Sequence, residues 1–337
     1  MPASVKDVAA LAKVSSSTVS NYLNHPHLLG AASRERVRAA IEHLGFVPNE
    51  SARQLRAGTS KALALILLDA WQPYFNELSR GVEDVTRAGN WALFFSNSNR
   101  DAAQERNNID MFESHRVQGM IIYPQSDVIP RLERLADKGI RSVIVGPSHK
   151  SAKIASVPFD DFGGGRLAGE HLIAMGRRRI AFLGNPEDVS QSADRLNGLV
   201  AAVQDAGAGA SVVVVPIFDL SVEDGIRAAG TILDLPPEDR PDAIFTANDV
   251  VAIGALTCFL RHGVRVPEEI SIVGFDDIAL AHQAVVPLTT IRQPGYEIGR
   301  AAGTLLLHQL ENADAAPPEI APFAAELVIR ESTSPVR

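Results

Sequence analysis

Five polar residues in this 337-residue chain follow apolar runs of the length expected for buried strands. Asp69 ends "ALALILLD", Asn248 and Asp249 follow "DAIFTA", and Asp276 and Asp277 follow "ISIVGF". Arg195 opens a helical stretch in "SADRLNGL". Carboxylates accept hydrogen bonds, a guanidinium donates them, and an amide does both. Set among aromatic walls such as Tyr74, Phe75 and Phe159, these groups suit a sugar, whose hydroxyls both donate and accept. Plainer roles stand beside that one: Asp276 and Asn248 are able to cap the segments that follow them, and Arg195 to form a structural ion pair. A second polar set lies near the N-terminus. Ser16, Ser17, Ser20 and Asn21 share the outer side of a short helical stretch, and side chains that short approach base edges in a major groove. A small helical bundle that binds nothing is the competing reading.

The elements that must position these groups divide the chain in two. In "SVKDVAALAKVSSSTVSNYLN", Ser4 and Asp7 fit a capping box, Ser15 a second N-cap, and Val14 the plug of the turn between two helices. Val8 and Leu11 give the first helix its apolar face, and Val19 and Leu23 the second. A third helix is expected over Ser33–Leu44, where Val37, Ala40, Ile41 and Leu44 recur at helical spacing. Residues 48–60 then read as a short basic helix and a flexible joint. From Lys61 strands and helices alternate as in a parallel α/β fold, and the pattern restarts after Ser156. The expected fold class is therefore α/β: a helix-turn-helix head and a bilobed body with two doubly wound parallel sheets. The expected boundaries are 1–47 for the head, 48–60 for the hinge helix and linker, 61–158 plus 289–318 for the first lobe, and 159–288 plus 319–337 for the second. Ligands of such sheets bind at the carboxyl ends of the strands, which is where the polar residues fall.

The net charge of −8 conceals an asymmetry. Residues 1–60 hold seven cations and four carboxylates, a net +3, so the remainder carries −11. A basic head on an acidic body points to a polyanionic partner for the head. Cys258 is the only cysteine, which removes intramolecular disulfides and cysteine zinc clusters. Together with an N-terminus interrupted by Lys6, Asp7 and Lys13, it points to a cytoplasmic protein. No apolar run approaches the ~20 residues of a membrane span. The nine histidines lack metal-ligand spacing, and neither a G-x-S-x-G elbow nor a P-loop occurs. No catalytic residue, metal or cofactor is expected. "GGGRLA" over Gly163–Ala168 fits G-x-G-x-x-A, but Asp160 and Asp161 before it would repel a pyrophosphate, so helix–strand packing is the better account.

The head with its hinge, "GFVPNESARQL", "DRLNGL", "NDVVAIGAL", "ISIVGFDD" and "PLTTIRQP" together resemble the lactose-repressor (LacI/GalR) family of transcription regulators over essentially the whole chain. The resemblance implies a repressor that binds double-stranded operator DNA as a homodimer under control of a small-molecule effector, most often a sugar, in the cleft between the lobes. It implies that Ser16, Ser17 and Asn21 read bases. Ser15, Thr18, Asn24 and Arg53 would hold phosphates or the protein's own backbone, and Leu55 would wedge into a base step. It places Arg195, Asn248 and Asp276 on the effector, with Phe75, Phe159 and Gln293 beside them. The chain departs from the family pattern at Lys13, where a glycine is frequent, at Asn21, where arginine is common, and near Pro147, where some sugar-binding members carry an acid. A solute-binding protein of a sugar transporter shares the bilobed fold but needs no head. A dinucleotide-dependent oxidoreductase would need an intact phosphate loop.

Overall fold

The computed structural model describes residues 3–46, 61–147, 149, 151–187, 190–207, 209–313 and 315–335, in two units that divide after Ser60. In the N-terminal unit, Ser4 and Asp7 satisfy each other's backbone N–H groups at the start of α1 (Val5–Ala12). Lys13 closes that helix in the left-handed region at φ 52°, which explains why glycine suits this turn position. Ser15 caps α2 (Ser16–Asn24) by accepting from the Thr18 N–H at 3.1 Å. The third helix, α3 (Ala31–Leu44), starts two residues earlier than its apolar spacing suggested. Val8, Ala12, Val19, Val37, Ala40 and Phe46 form the small core. Leu11, expected on the inner face of α1, is 47% exposed instead.

In the C-terminal unit the chain alternates strictly at first. The order is β1 (Ala62–Leu67), α4 (Pro73–Ala88), β2 (Ala92–Asn97), α5 (Ala102–Ser114), β3 (Gly119–Ile122), α6 (Ile129–Ala136), β4 (Arg141–Gly146) and β5 (Ala155–Pro158). These strands make a five-stranded parallel sheet in the order β2-β1-β3-β4-β5. Along β1, Leu63, Leu65 and Leu67 enter one apolar layer with α4, while Ala62, Ala64 and Ile66 enter another with α5 and α6. The strand period of two thus feeds both sides of a sheet covered on both faces.

The second lobe follows with α7 (Asp161–Ala174), β6 (Arg179–Leu183), α8 (Ser190–Asp205), β7 (Ser211–Val215), α9 (Val222–Leu233), β8 (Ala243–Thr246), α10 (Asp249–Arg261), β9 (Ser271–Asp276), α11 (Ala279–Gln283) and β10 (Thr289–Arg292). Last come α12 (Gly295–Glu311), which packs on α4 of the first lobe, and β11 (Glu326–Val328). The second sheet runs β11-β10-β9-β8-β6-β7, parallel except for β11. One expectation is corrected here. Residues 289–292 were assigned to the first lobe, but β10 pairs in parallel with β9, so the return begins only at Gln293. An apolar run does not say which sheet receives it. The chain crosses between lobes three times. Two of the crossings are tied side by side, with the Asp160 N–H donating to the Phe323 carbonyl (3.0 Å) and the Phe323 N–H to the Pro158 carbonyl (2.9 Å).

The glycines of "GGGRLA" serve helix packing as well as strand packing. A Cβ on Gly164 would press on Phe275 and Ile291, and one on Gly165 would lie 2.0 Å from the Arg195 carbonyl oxygen. Gly198 makes the reciprocal close approach to the Phe162 carbonyl. Small residues therefore let α7 and α8 cross with their backbones in contact, and this fixes where Arg195 emerges.

Candidate effector cleft and nucleic-acid interface

Arg195 is the centre of the cleft. It is 8% exposed, and its guanidinium plane lies over the Phe275 ring with Cζ 3.5 Å from the ring centroid. Nε donates to Asp161 (2.8 Å), Nη1 to the Ala247 carbonyl (2.5 Å) and Nη2 to Gln293 Oε1 (3.4 Å). Gln293 in turn donates to the Tyr74 hydroxyl at 2.8 Å, which links the crossover after β10 to α4. Asn248 has two jobs: its Oδ1 accepts the Val251 N–H as the N-cap of α10, and its Nδ2 points across to Gln72. Both plainer readings, the capping amide and the structural ion pair, hold together with a place in the cleft.

Asp276 faces the same cavity and caps nothing, since α11 begins after Ile278 without a side-chain cap. Its φ is +100°, a region that side-chain-bearing residues rarely enter. Leu220 (φ 51°) and Arg100 (φ 59°), which line the cavity too, also have positive φ. Backbone held this way clusters at functional sites. The neighbours of Asp276 are firmly held. Asp249, fully buried, accepts from Thr290 Oγ1 (2.6 Å) and the Ile278 N–H (2.9 Å), and Asp277 accepts from Arg292 and Arg330. Burial pushes the Asp276 carboxyl up to about 7 and Asp161 up to about 6, with the Arg195 cation pulling both back down. Burial also raises Asp249 well above the ordinary carboxylate range.

Phe75, Arg195, Asn248, Asp276 and Gln293 thus converge on one cavity. Phe159 does not line it. It stands behind, edge-to-face on Phe275 at 5.9 Å, supporting the ring on which Arg195 rests. The cavity also has lining residues that the sequence reading did not select: Gln72, Tyr123, Gln191 and Ser192. Gln191 Nε2 and Ser192 Oγ are buried there without a hydrogen-bond partner. Tyr123 directly follows β3, so attention to the first residue past every strand would have found it. Gln191 and Ser192 lie in the first turn of α8 and carry no comparable signal.

In the head, Ser16, Ser17 and Asn21 are exposed along α2. The Ser15 hydroxyl is engaged with Ser17 Oγ (2.6 Å), Thr18 Oγ1 (2.8 Å) and the Thr18 N–H. Arg53, Leu55 and the hinge lie outside the described residues, as does the Asn24 side chain. Removing the cap with Ser15→Ala is expected to destabilise the head by about 1 kcal/mol, read as a lower urea midpoint. Among the described residues, no group of three or more potential metal ligands occurs and no helix is long and apolar enough to cross a membrane.

Comparison with known proteins agrees with this architecture. Residues 4–49 match the model of the bacterial regulatory proteins of the lacI family, and residues 170–333 match that of the periplasmic binding protein-like domain. The HTH-type transcriptional repressor CytR of Escherichia coli K12 is 32% identical over 335 residues, covering 98% of this chain and 96% of the relative. The chain belongs to the lacI family of bacterial regulatory proteins. As a lacI-family member it is a DNA-binding transcriptional regulator with an effector-binding body. The HTH-type repressor PurR of Aliivibrio fischeri strain MJ11 is 31% identical over 93% of both chains. Among solved structures, a lac repressor dimer bound to operator and the anti-inducer ONPF superposes with a TM-score of 0.85 at 26% identity, covering 99% of this lacI-family chain and all of the other. A complex of the regulator CelR with cellobiose gives 0.70 at 27% identity, covering 98% and 99%.

Proposed function

We propose that this lacI-family chain is a homodimeric repressor that acts on the chromosome in the cytoplasm, by binding rather than by catalysis. Its paired heads read a near-palindromic operator, and a small polar effector, of the sugar class, occupies the cleft around Arg195. The observation that carries the reading is the convergence of five expected cleft residues on one cavity, in a chain whose other unit presents Ser16, Ser17 and Asn21 outward from a capped helix. The dimeric, operator-bound lac repressor and the cellobiose complex of CelR support the choice of partners. In this reading Ser16, Ser17 and Asn21 contact bases, while Arg53 and Leu55 belong to a hinge of residues 48–60. Effector binding changes the angle between lobes, the spacing of the hinges and so the affinity for DNA, with a coupling of typically 1–3 kcal/mol.

Selection of duplexes from a random library tests this directly. The full chain is expected to enrich a palindrome, with affinity falling steeply as salt rises, and removal of residues 1–60 to abolish enrichment. On the selected duplex, Asn21→Ala is expected to cost about 1–3 kcal/mol and to relax the preference at one base pair per half-site, read by fluorescence anisotropy. Equal enrichment by the truncated chain would defeat the proposal.

A further inference from the structure

Gln72 occupies the N-cap of α4, where a short acceptor such as Asn or Ser ordinarily bonds the first-turn N–H groups. Its side chain makes no cap bond. The amide instead reaches across the cleft to the other lobe. Nε2 donates to the Leu220 carbonyl at 3.1 Å, and Oε1 accepts from Asn248 Nδ2 at 3.2 Å. A third contact, Nε2 to Asp69 Oδ2 at 3.4 Å, steadies the amide from its own lobe. Gln72 is 9% exposed, so these bonds are shielded from water. The cavity left beside it has a volume of about 60 Å³, well below the ~300–1,000 Å³ of small-molecule sites. Asn248 is one of the groups expected to hold the effector, and here it holds the chain's own amide.

We propose that Gln72 is an intramolecular stand-in for the effector: a latch that draws the lobes together by taking the Asn248 amide and the Leu220 carbonyl. An effector enters by displacing it. To keep the lobes together afterwards, the effector must satisfy both released partners, with an acceptor toward Asn248 and a donor toward the Leu220 carbonyl. A carboxamide presents such an adjacent pair, and so do neighbouring hydroxyls. The cleft therefore closes on its own side chain, and the effector competes with a built-in rival rather than with water alone. The part concerning the effector rests on the reading that this cleft is the effector site; the latch does not.

The test is a distance measurement. Spin labels at Asn107→Cys on α5 and Glu223→Cys on α9, both exposed and on opposite lobes, report the lobe separation by pulsed electron paramagnetic resonance. The full-length chain is used without added small molecules and diluted with unlabelled chain; Cys258 is buried and stays unlabelled. The Gln72 background is expected to give one short, narrow distribution. Gln72→Asn is one methylene too short to cross but able to cap α4, so it is expected to shift the distribution to longer distances while keeping or raising the melting temperature. Gln72→Ala should shift it equally. Distributions for both variants that coincide with the Gln72 background would overturn the latch and leave the repressor reading intact. Loss of operator selection by the full chain would sink the repressor reading and leave the distance result standing.

Discussion

Arg195→Met is expected to destabilise the body by roughly 3–5 kcal/mol at pH 7.5 and to abolish any response to effector. The size follows from what the substitution strands. Asp161 is 4% exposed, and the Arg195 guanidinium is its ion-pair partner at 2.8 Å. Without that cation a carboxylate is left in a poorly solvated site, and the Ala247 carbonyl and Gln293 lose their donor. Methionine is long enough to keep covering the Phe275 ring, so the loss isolates the charge. The melting temperature, followed by circular dichroism, should fall by about 10 °C, on the scale of about 2–4 °C per kcal/mol for domains of this size. The double variant Arg195→Met, Asp161→Asn is expected to recover most of the stability, because the ion-pair partner of Arg195 is then no longer left charged and unpaired. It is not expected to recover the effector response, because in the proposed function the guanidinium contacts the effector. Recovery of both would reduce Arg195 to a structural ion pair.

The second large effect concerns acid. Asp276 and Asp161 are raised from 3.8 to about 7 and about 6, chiefly by burial. In that range the folded chain holds protons that the unfolded chain has released. Stability from these two groups is therefore fully present below about pH 4 and is lost as pH rises toward 7. This opposes ordinary acid denaturation. It is also opposed by His171, whose pKa burial lowers, so the contribution is best read as a difference between variants. Asp276→Asn is expected to match the unsubstituted chain below about pH 4 and to exceed it by on the order of 1–3 kcal/mol at pH 8 in urea melts. Asparagine tolerates the positive φ of this position. The cost should appear in binding, where a charged acceptor is worth roughly 1.5–3 kcal/mol to a ligand hydroxyl. A parallel pair of stability curves between pH 5 and 8 would show that Asp276 carries no such burden.

Most of the alternation was legible because buried parallel strands are short apolar runs set between longer stretches of helical period. "ALALIL" and "SIVGF" announce themselves in this way. The weaker strands escaped. β5 is "ASVP" and β11 only "ELV", too short and too mixed to show a period. The stretch that forms β10 was placed in the first lobe, because pairing partners are chosen across the sequence rather than along it. The same division holds in the cleft. Arg195, Asn248 and Asp276 stood out because charged and amide groups at strand ends or helix starts need a reason. Asp161 did not, since beside Asp160 it counted only as a charge that would repel a pyrophosphate; only the crossing of α7 and α8 brings it to Arg195. Phe159 was read as a wall of the cavity, but a sequence gives no depth, and one ring stands between it and the opening.

The order in which the lobes receive their parts bears on how the chain is made. The helix that covers α4 and one face of the first sheet, α12, ends at Glu311, and β11 closes the second sheet only at Val328. During synthesis the first lobe must therefore wait, with Leu63, Leu65 and Leu78 lacking the α12 side of their layer, until residues 295–311 have left the ribosome. Nascent chains stopped before residue 295 are the ones that should need chaperones most, and premature termination anywhere downstream of β5 should yield aggregate rather than a free-standing half-repressor.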